Sequence, residues 1–232
     1  MHSLVILIYQ WTLYPLIHLL FGAYALFSSK ARRTLALRSR YLKENFEGRY
    51  ESWVHVSSAG ELEYAIPLIQ ELLATSSGVI LTYYSTSAEK PAESLKQKNL
   101  KVCPLPHDGY HCMASFVHSL KSVGVKNLIL VKYDLWPAML YFSQKSGIKI
   151  YITNKLKFRV LGNLLHSIFC RIYYSYEREK QGFKNERHGG DTRIPRILER
   201  IVKQERRLPE DVIAFIAKDL SVRSSKILML GS

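Results

Sequence analysis

From Trp53 onward, short runs rich in β-branched and aromatic residues alternate with longer runs in which apolar side chains recur every three or four positions. The first pattern predicts strands at 52–57 (SWVHVS), 79–84 (VILTYY), 100–104 (LKVCP), 127–132 (NLILVK) and 148–153 (IKIYIT). The second predicts helices at 61–75, 87–97, 110–122, 135–146 and 157–169. Strands separated by helices imply a parallel, doubly wound sheet, because parallel pairing needs a crossover long enough to hold a helix. Such a sheet receives its ligands at the carboxyl ends of its strands, so the loops after the strands are where chemistry is sought. Residues 184–196 (KNERHGGDTRIPR) concentrate glycine and charge, as a crossing between domains does. Beyond them, 197–218 has a helical pattern, and KILML at 226–230 reads as a buried strand that ends in Gly231-Ser232.

The amino terminus breaks the alternation. Residues 4–27 (LVILIYQWTLYPLIHLLFGAYALF) hold no Asp, Glu, Lys or Arg, and their number meets the ~20 apolar residues that cross a bilayer. Lys30, Arg32, Arg33, Arg38, Arg40 and Lys43 follow at once, and this positive bias places the rest of the chain in the cytoplasm. Basic residues that follow the apolar run instead of preceding it, with no small-x-small site, argue against a cleaved signal peptide. Gln10, Pro15 and His18 interrupt the run, so a half-inserted interfacial anchor and a buried hairpin stand beside a spanning helix. The basic cluster reads either as a solvated collar or as a grip on anionic lipid.

Composition narrows the partners. Lys and Arg number 33 against 19 Asp and Glu, a formal charge of +14, which favours nucleic acid, anionic lipid or sugar phosphates. The 232 residues, 47% hydrophobic, suffice for one full domain and part of a second. Cys103, Cys112 and Cys170 form no CxxC pair and no ligand spacing with the eight His, which argues against a zinc site or a disulfide framework and suits a reducing compartment. Tyr173, Tyr174 and Tyr176 beside Arg171 and Arg178 could stack on bases, but no nucleic-acid motif accompanies them, and a strand or a membrane-facing surface explains them equally.

The first strand leads to the candidate chemistry. Ser57-Ser58-Ala59-Gly60 forms a small-residue turn, and Glu61 follows in the first turn of the next helix, facing the crevice. A carboxylate there can serve as a general base, since the helix amino end favours its ionised form while partial burial opposes it. It can equally be one of the acids that complement a helix dipole. Pro67 should kink that helix one turn further in. His55, without a partner cluster, reads as a hydrogen-bonded structural histidine, and Trp136-Pro137 either as a helix start or as a pair that shapes the cleft.

The run His55-x-Ser57-Ser58-Ala59-Gly60-Glu61, with Pro67-Leu68-Ile69 behind it, resembles the signature of the Kdo transferases, membrane-associated enzymes that add Kdo to the lipid A precursor. Leu105-Pro106-His107-Asp108 looks like that family's Leu-Pro-x-Asp, and Asp134-Leu135-Trp136-Pro137 like its Glu-Leu-Trp-Pro-Asn. Asn154, Leu156 and Arg159 resemble its Asn-Ala-Arg-Leu-Ser segment, Gly190-Asp191-Thr192-Arg193 the opening of its second domain, and Leu230-Gly231-Ser232 the start of its donor-binding turn.

The resemblance implies a GT-B glycosyltransferase. Its parts would be a membrane anchor at 1–28, an amino-terminal Rossmann-like acceptor domain at 29–184, and a linker with the beginning of a truncated donor domain at 185–232. Glu61 would be the base that takes a proton from the lipid disaccharide's primary hydroxyl as that oxygen attacks Kdo, with CMP leaving and configuration inverted. Ser57, Ser58, Gly60, Arg32, Arg33, Arg38 and Asp134 would bind the acceptor, and Gly231 and Ser232 the donor CMP-Kdo. No metal or other cofactor is implied, and the partners would be the lipid A precursor, CMP-Kdo and anionic inner-membrane lipids, not nucleic acid. The place would be the cytoplasmic face of a bacterial inner membrane. The chain departs from the pattern at Lys132 and Asp134, where the family has two acids, and at Ala138, Lys155, Lys157 and Pro195. A GT-B lipid glycosyltransferase with another nucleotide sugar, and an inactive membrane-tethered remnant, are the competing readings.

Overall fold

The structure is a computed structural model and describes residues 6–40, 46–75, 78–132, 134, 136–155, 171–174 and 186–188. Helix α1 (Ile6–Phe27) includes a π-helical stretch at Tyr9–Leu13 and leads into α2 (Ser29–Arg40). The sheet and its crossovers follow: β1 (Ser52–Val56), α3 (Ala59–Thr75), β2 (Val79–Tyr83), α4 (Thr86–Glu93), β3 (Leu100–Pro104), α5 (Tyr110–Ser122), β4 (Asn127–Val131), α6 (Pro137–Lys145) and β5 (Lys149–Lys155). Two short strands, β6 (Arg171–Tyr174) and β7 (Glu186–His188), complete it.

All seven strands are parallel, in the order β3-β2-β1-β4-β5-β6-β7. The chain steps outward from β1 through β2 to β3, then returns to place β4 on the other side of β1. Between β1 and β4 the connections diverge to opposite directions, which opens a crevice at the carboxyl ends of these two strands. This is the Rossmann-like α/β architecture that the alternating pattern predicts.

Every residue of β1 and β2 is buried, as in a sheet covered on both faces. Successive side chains point to opposite faces and sort into two cores. Trp53, Ile80 and Leu128 pack with Phe116 and Leu120 of α5 and Met139 of α6, whereas Val54, Leu81 and Ile129 pack with Leu62, Ala65 and Ile69 of α3.

The five strands and four of the helices match the predicted ones, with differences that local chemistry explains. Helix α6 begins at Pro137 instead of 135, since proline suits a first helical position, where its missing N–H is not required. Helix α4 ends at Glu93, two residues past Pro91. Helix α3 continues through Pro67, held by the buried Ile66, Ile69 and Leu72. The crossing suggested at 184–196 contains strand β7, which pairs with β6, and the tyrosine cluster contributes Tyr173 and Tyr174 to β6. The helices predicted at 157–169 and 197–218, the strand at 226–230, and Asn154's side chain, Arg159, the Gly190–Arg193 run, Gly231 and Ser232 lie outside the described residues.

Candidate active site

The crevice between β1 and β4 is where the sequence-distant polar groups meet. After β1 the chain turns through Ser57 and Ser58 into α3. The Ser58 hydroxyl accepts the Glu61 N–H at 3.3 Å, and the Glu61 carboxylate bends back so that Oε2 accepts the Ser57 N–H at 2.5 Å. This reciprocal arrangement is a capping box: it satisfies backbone donors that the first helical turn leaves without partners. Glu61 is therefore fixed in rotamer before any substrate arrives. Burial raises its pKa, opposed by the Ser57 N–H, the charge of Lys132 and the Ser58 N–H. A Cβ on Gly60 would meet nothing nearer than the Ser58 hydroxyl at 3.9 Å, so its glycine character is not demanded by space.

The other wall comes from the turn after β4. Lys132 adopts φ 67°, a left-handed conformation that costs a side-chain-bearing residue free energy, and its N–H donates to Thr153 O at 2.9 Å. Its ammonium lies 3.7 Å from the centre of the Tyr64 ring on α3, so the turn is tied back across the crevice. Two residues on, Asp134 is buried and accepts a short hydrogen bond from the Ser57 hydroxyl. Its other oxygen stands 3.5 Å from His55 Nε2. The chain of polar contacts runs inward, with His55 Nδ1 2.8 Å from the Thr82 hydroxyl, which also accepts the Trp53 indole N–H at 2.8 Å.

Ser57 thus joins two carboxyl groups, its N–H to Glu61 and its hydroxyl to Asp134. Burial, and then the charge of Glu61, push Asp134 up to about 8. His55 is pushed down to about 3 by burial and the nearby Arg38 charge, so it is neutral at physiological pH. The structural reading of His55 agrees with this position, since the ring is fully buried inside the sheet.

Asp134 and Arg38 are not where the sequence suggests. Asp134 does not line an open acceptor surface; it is 6% exposed and holds Ser57. Arg38 is 1% exposed and turned into the protein, where it donates to Leu105 O at 2.8 Å and to Tyr84 O and lies 3.5 Å over the Tyr84 ring. Burial lowers it to about 10, and it ties the ends of β2 and β3 together. A guanidinium drawn onto strand-end carbonyls cannot also face a surface ligand. Arg32 and Arg33 remain exposed; Arg32 donates to Ala25 O and Leu26 O at the end of α1, and Arg33 pairs with Glu89 at 2.8 Å.

Sequence reasoning passed over Asp108, though the Leu-Pro-x-Asp run after a strand marked its position. Its buried carboxylate accepts the Ala138 N–H at 3.1 Å and the Met139 N–H at 2.9 Å, which fixes the amino end of α6. Burial pushes it up to about 7. The Trp136 ring at this helix start packs at a tilt against Tyr84, with centres 4.5 Å apart. Among the described residues no three His, Cys, Asp or Glu side chains converge as a metal site requires. A shallow cavity of about 390 Å³ beside Tyr50, Gln97 and Leu100 lies at the opposite ends of the strands from Glu61.

Residues 28–156, more than half of the chain and inclusive of every crevice residue just described, match the family described as 3-deoxy-D-manno-octulosonic-acid transferase, or Kdo transferase. The chain belongs to the Kdo transferase family. A curated 3-deoxy-D-manno-octulosonic acid transferase from Aquifex aeolicus (strain VF5) is 26% identical over 132 residues, which make up 57% of this chain and 36% of that protein. The chain therefore spans about a third of that relative's length. A solved structure of UDP-N-acetylglucosamine 2-epimerase from Rickettsia bellii is similar over 67% of this chain and 48% of the epimerase, at 10% identity and a TM-score of 0.46. Helix α1 precedes the segment that matches the Kdo transferase family.

Proposed function

We propose that this chain forms the acceptor-binding side of a GT-B glycosyltransferase that moves Kdo from CMP-Kdo to the lipid A precursor at the cytoplasmic face of the inner membrane, with inversion. The observation that supports it most is Glu61, its carboxylate held by the Ser57 N–H and its own N–H by the Ser58 hydroxyl in the crevice between β1 and β4, where its raised pKa makes it a stronger base than a free carboxylate. The ionised Glu61 takes the proton of the acceptor's primary hydroxyl. That oxygen forms the new bond to the anomeric carbon of Kdo as the bond to the CMP phosphate oxygen breaks, and CMP leaves with the electron pair. Ser57, Ser58 and Gly60 line the approach, while Arg32 and Arg33 meet acceptor phosphates. Asp134 acts one step back, by holding Ser57. Gly231 and Ser232 remain assigned to the donor through the family resemblance.

The test incubates membranes carrying this chain joined to a donor-binding domain with radiolabelled CMP-Kdo and lipid A precursor. Product is expected, and Glu61→Gln should lower turnover by about 10² or more. Retained turnover in that variant removes Glu61 as the base. Transfer from a different nucleotide sugar, with none from CMP-Kdo, would assign the chain to another lipid glycosyltransferase.

A further inference from the structure

Helix α1 is long and apolar enough to cross a membrane by length and composition. Its attachments say otherwise. Near its start Ile6 is buried, and Gln10 clasps the loop after β3 twice: its Nε2 donates to Asp108 O and its Oε1 accepts the Tyr110 N–H, both at 2.9 Å. The Tyr14 hydroxyl would lie 2.8 Å from a Cβ on Gly109, so the Tyr14 ring rests directly on the backbone of that loop. His18 meets His107 edge-on at 4.9 Å. Positions 6, 10, 14 and 18 recur every four residues, and the π-helical stretch at Tyr9–Leu13, with its wider turn, keeps such a stripe in line.

The far end is fastened to the same domain. The hold comes through α2, which follows at once: Arg32 caps the last carbonyls of α1, those of Ala25 and Leu26, while Arg33 pairs with Glu89 of α4 and Arg38 reaches Leu105 O. A helix with both ends held on one side of one globular domain cannot put those ends on opposite sides of a bilayer. Spanning would also strip Gln10 and His18 of their partners or draw the loop backbone into hydrocarbon.

What remains of the α1 surface is apolar. Trp11 is 81%, Leu19 70%, Leu26 72% and Phe27 89% exposed, far more than an isolated soluble domain leaves to water in one patch. The exposed cations Lys30, Arg32 and Arg33 follow immediately, and α2 contains no acid. An apolar surface edged by cations complements an anionic lipid surface and opposes a second copy of the same basic chain.

We propose that α1 is an in-plane membrane helix: one stripe docks on the loop after β3, and the rest is inserted at the headgroup–acyl boundary of an anionic leaflet, with both ends cytoplasmic. This seat is independent of the transfer chemistry, and none of its tests reads turnover. With Ser3→Cys in the full chain, an impermeant thiol reagent should label residue 3 in inverted inner-membrane vesicles and leave it unlabelled in intact spheroplasts; labelling from the outer side overturns the proposal. Trp11 fluorescence, read as the difference from Trp11→Phe, should be quenched more by lipids brominated near the headgroup than by those brominated near the chain ends; the reverse order overturns it. Leu19→Glu should weaken binding to vesicles containing phosphatidylglycerol by about tenfold or more, with the thermal midpoint unchanged. Should Leu19→Glu instead dissolve a dimer and leave vesicle binding unaltered, the exposed surface belongs to a second copy and the proposal fails.

Discussion

At the scale of single residues, the site is governed by how burial and local donors divide the charge between two carboxyl groups. Glu61 is raised by burial and lowered by Lys132, so Lys132→Met, which removes the charge and keeps the stem, should move the acidic limb of the kcat/KM profile to higher pH. A limb that stays in place would show that the ammonium on Tyr64 does not act on Glu61. Asp134 offers a stability test with a definite sign. Its pKa in the fold, about 8, lies above its ordinary value of 3.8, so its contribution is fully present below 3.8 and is lost as pH rises through 8. The thermal midpoint of the parent minus that of Asp134→Asn should therefore fall steadily between pH 4 and 8; a constant difference contradicts the buried, protonated carboxyl. Glu61 was legible in the sequence because a strand, a small-residue turn and a helix stand next to one another. The Ser57–Asp134 contact was not, since 77 residues separate its partners and only the return of β4 to the side of β1 brings them together. Arg38 was misplaced for a related reason: charge is visible in a sequence, but the carbonyls that capture it are not.

Among the elements, the loop between β3 and α5 does the most joining. Gln10 and Tyr14 of α1 rest on its backbone, Arg38 of α2 holds its first carbonyl, and Asp108 within it caps α6. Gly109 is the point of closest approach, so Gly109→Ala should force Tyr14 outward and destabilise the protein by about 1–3 kcal/mol, measured as a lower urea midpoint. No change would mean that Tyr14 moves freely. The strands from β1 to β5 were readable because burial on both faces demands continuous apolar runs of a set length. Strand β7, three residues of Glu, Arg and His, carries no such signature, and its pairing with β6 supplies what its composition does not. Gln10 and His18 looked like flaws in an apolar segment, and they prove to be its docking contacts.

For the whole molecule, the formal charge of +14 and the apolar surface of α1 act over different ranges. The first is screened by salt over about 8–10 Å, and the second is not. Raising sodium chloride from 0.05 to about 0.5 M should therefore weaken association with anionic vesicles without abolishing it, as sedimentation would record. Complete release would show that the charge acts alone.

The loop gripped by Gln10 is also the loop whose Asp108 seats α6, so the apolar amino-terminal helix and the crevice wall share one piece of backbone. A detergent micelle that pries the amino-terminal helix loose would slacken the wall opposite Glu61. On the proposed seat, protein extracted into detergent would carry a looser crevice than protein in a bilayer, and nanodiscs would be the fairer vessel.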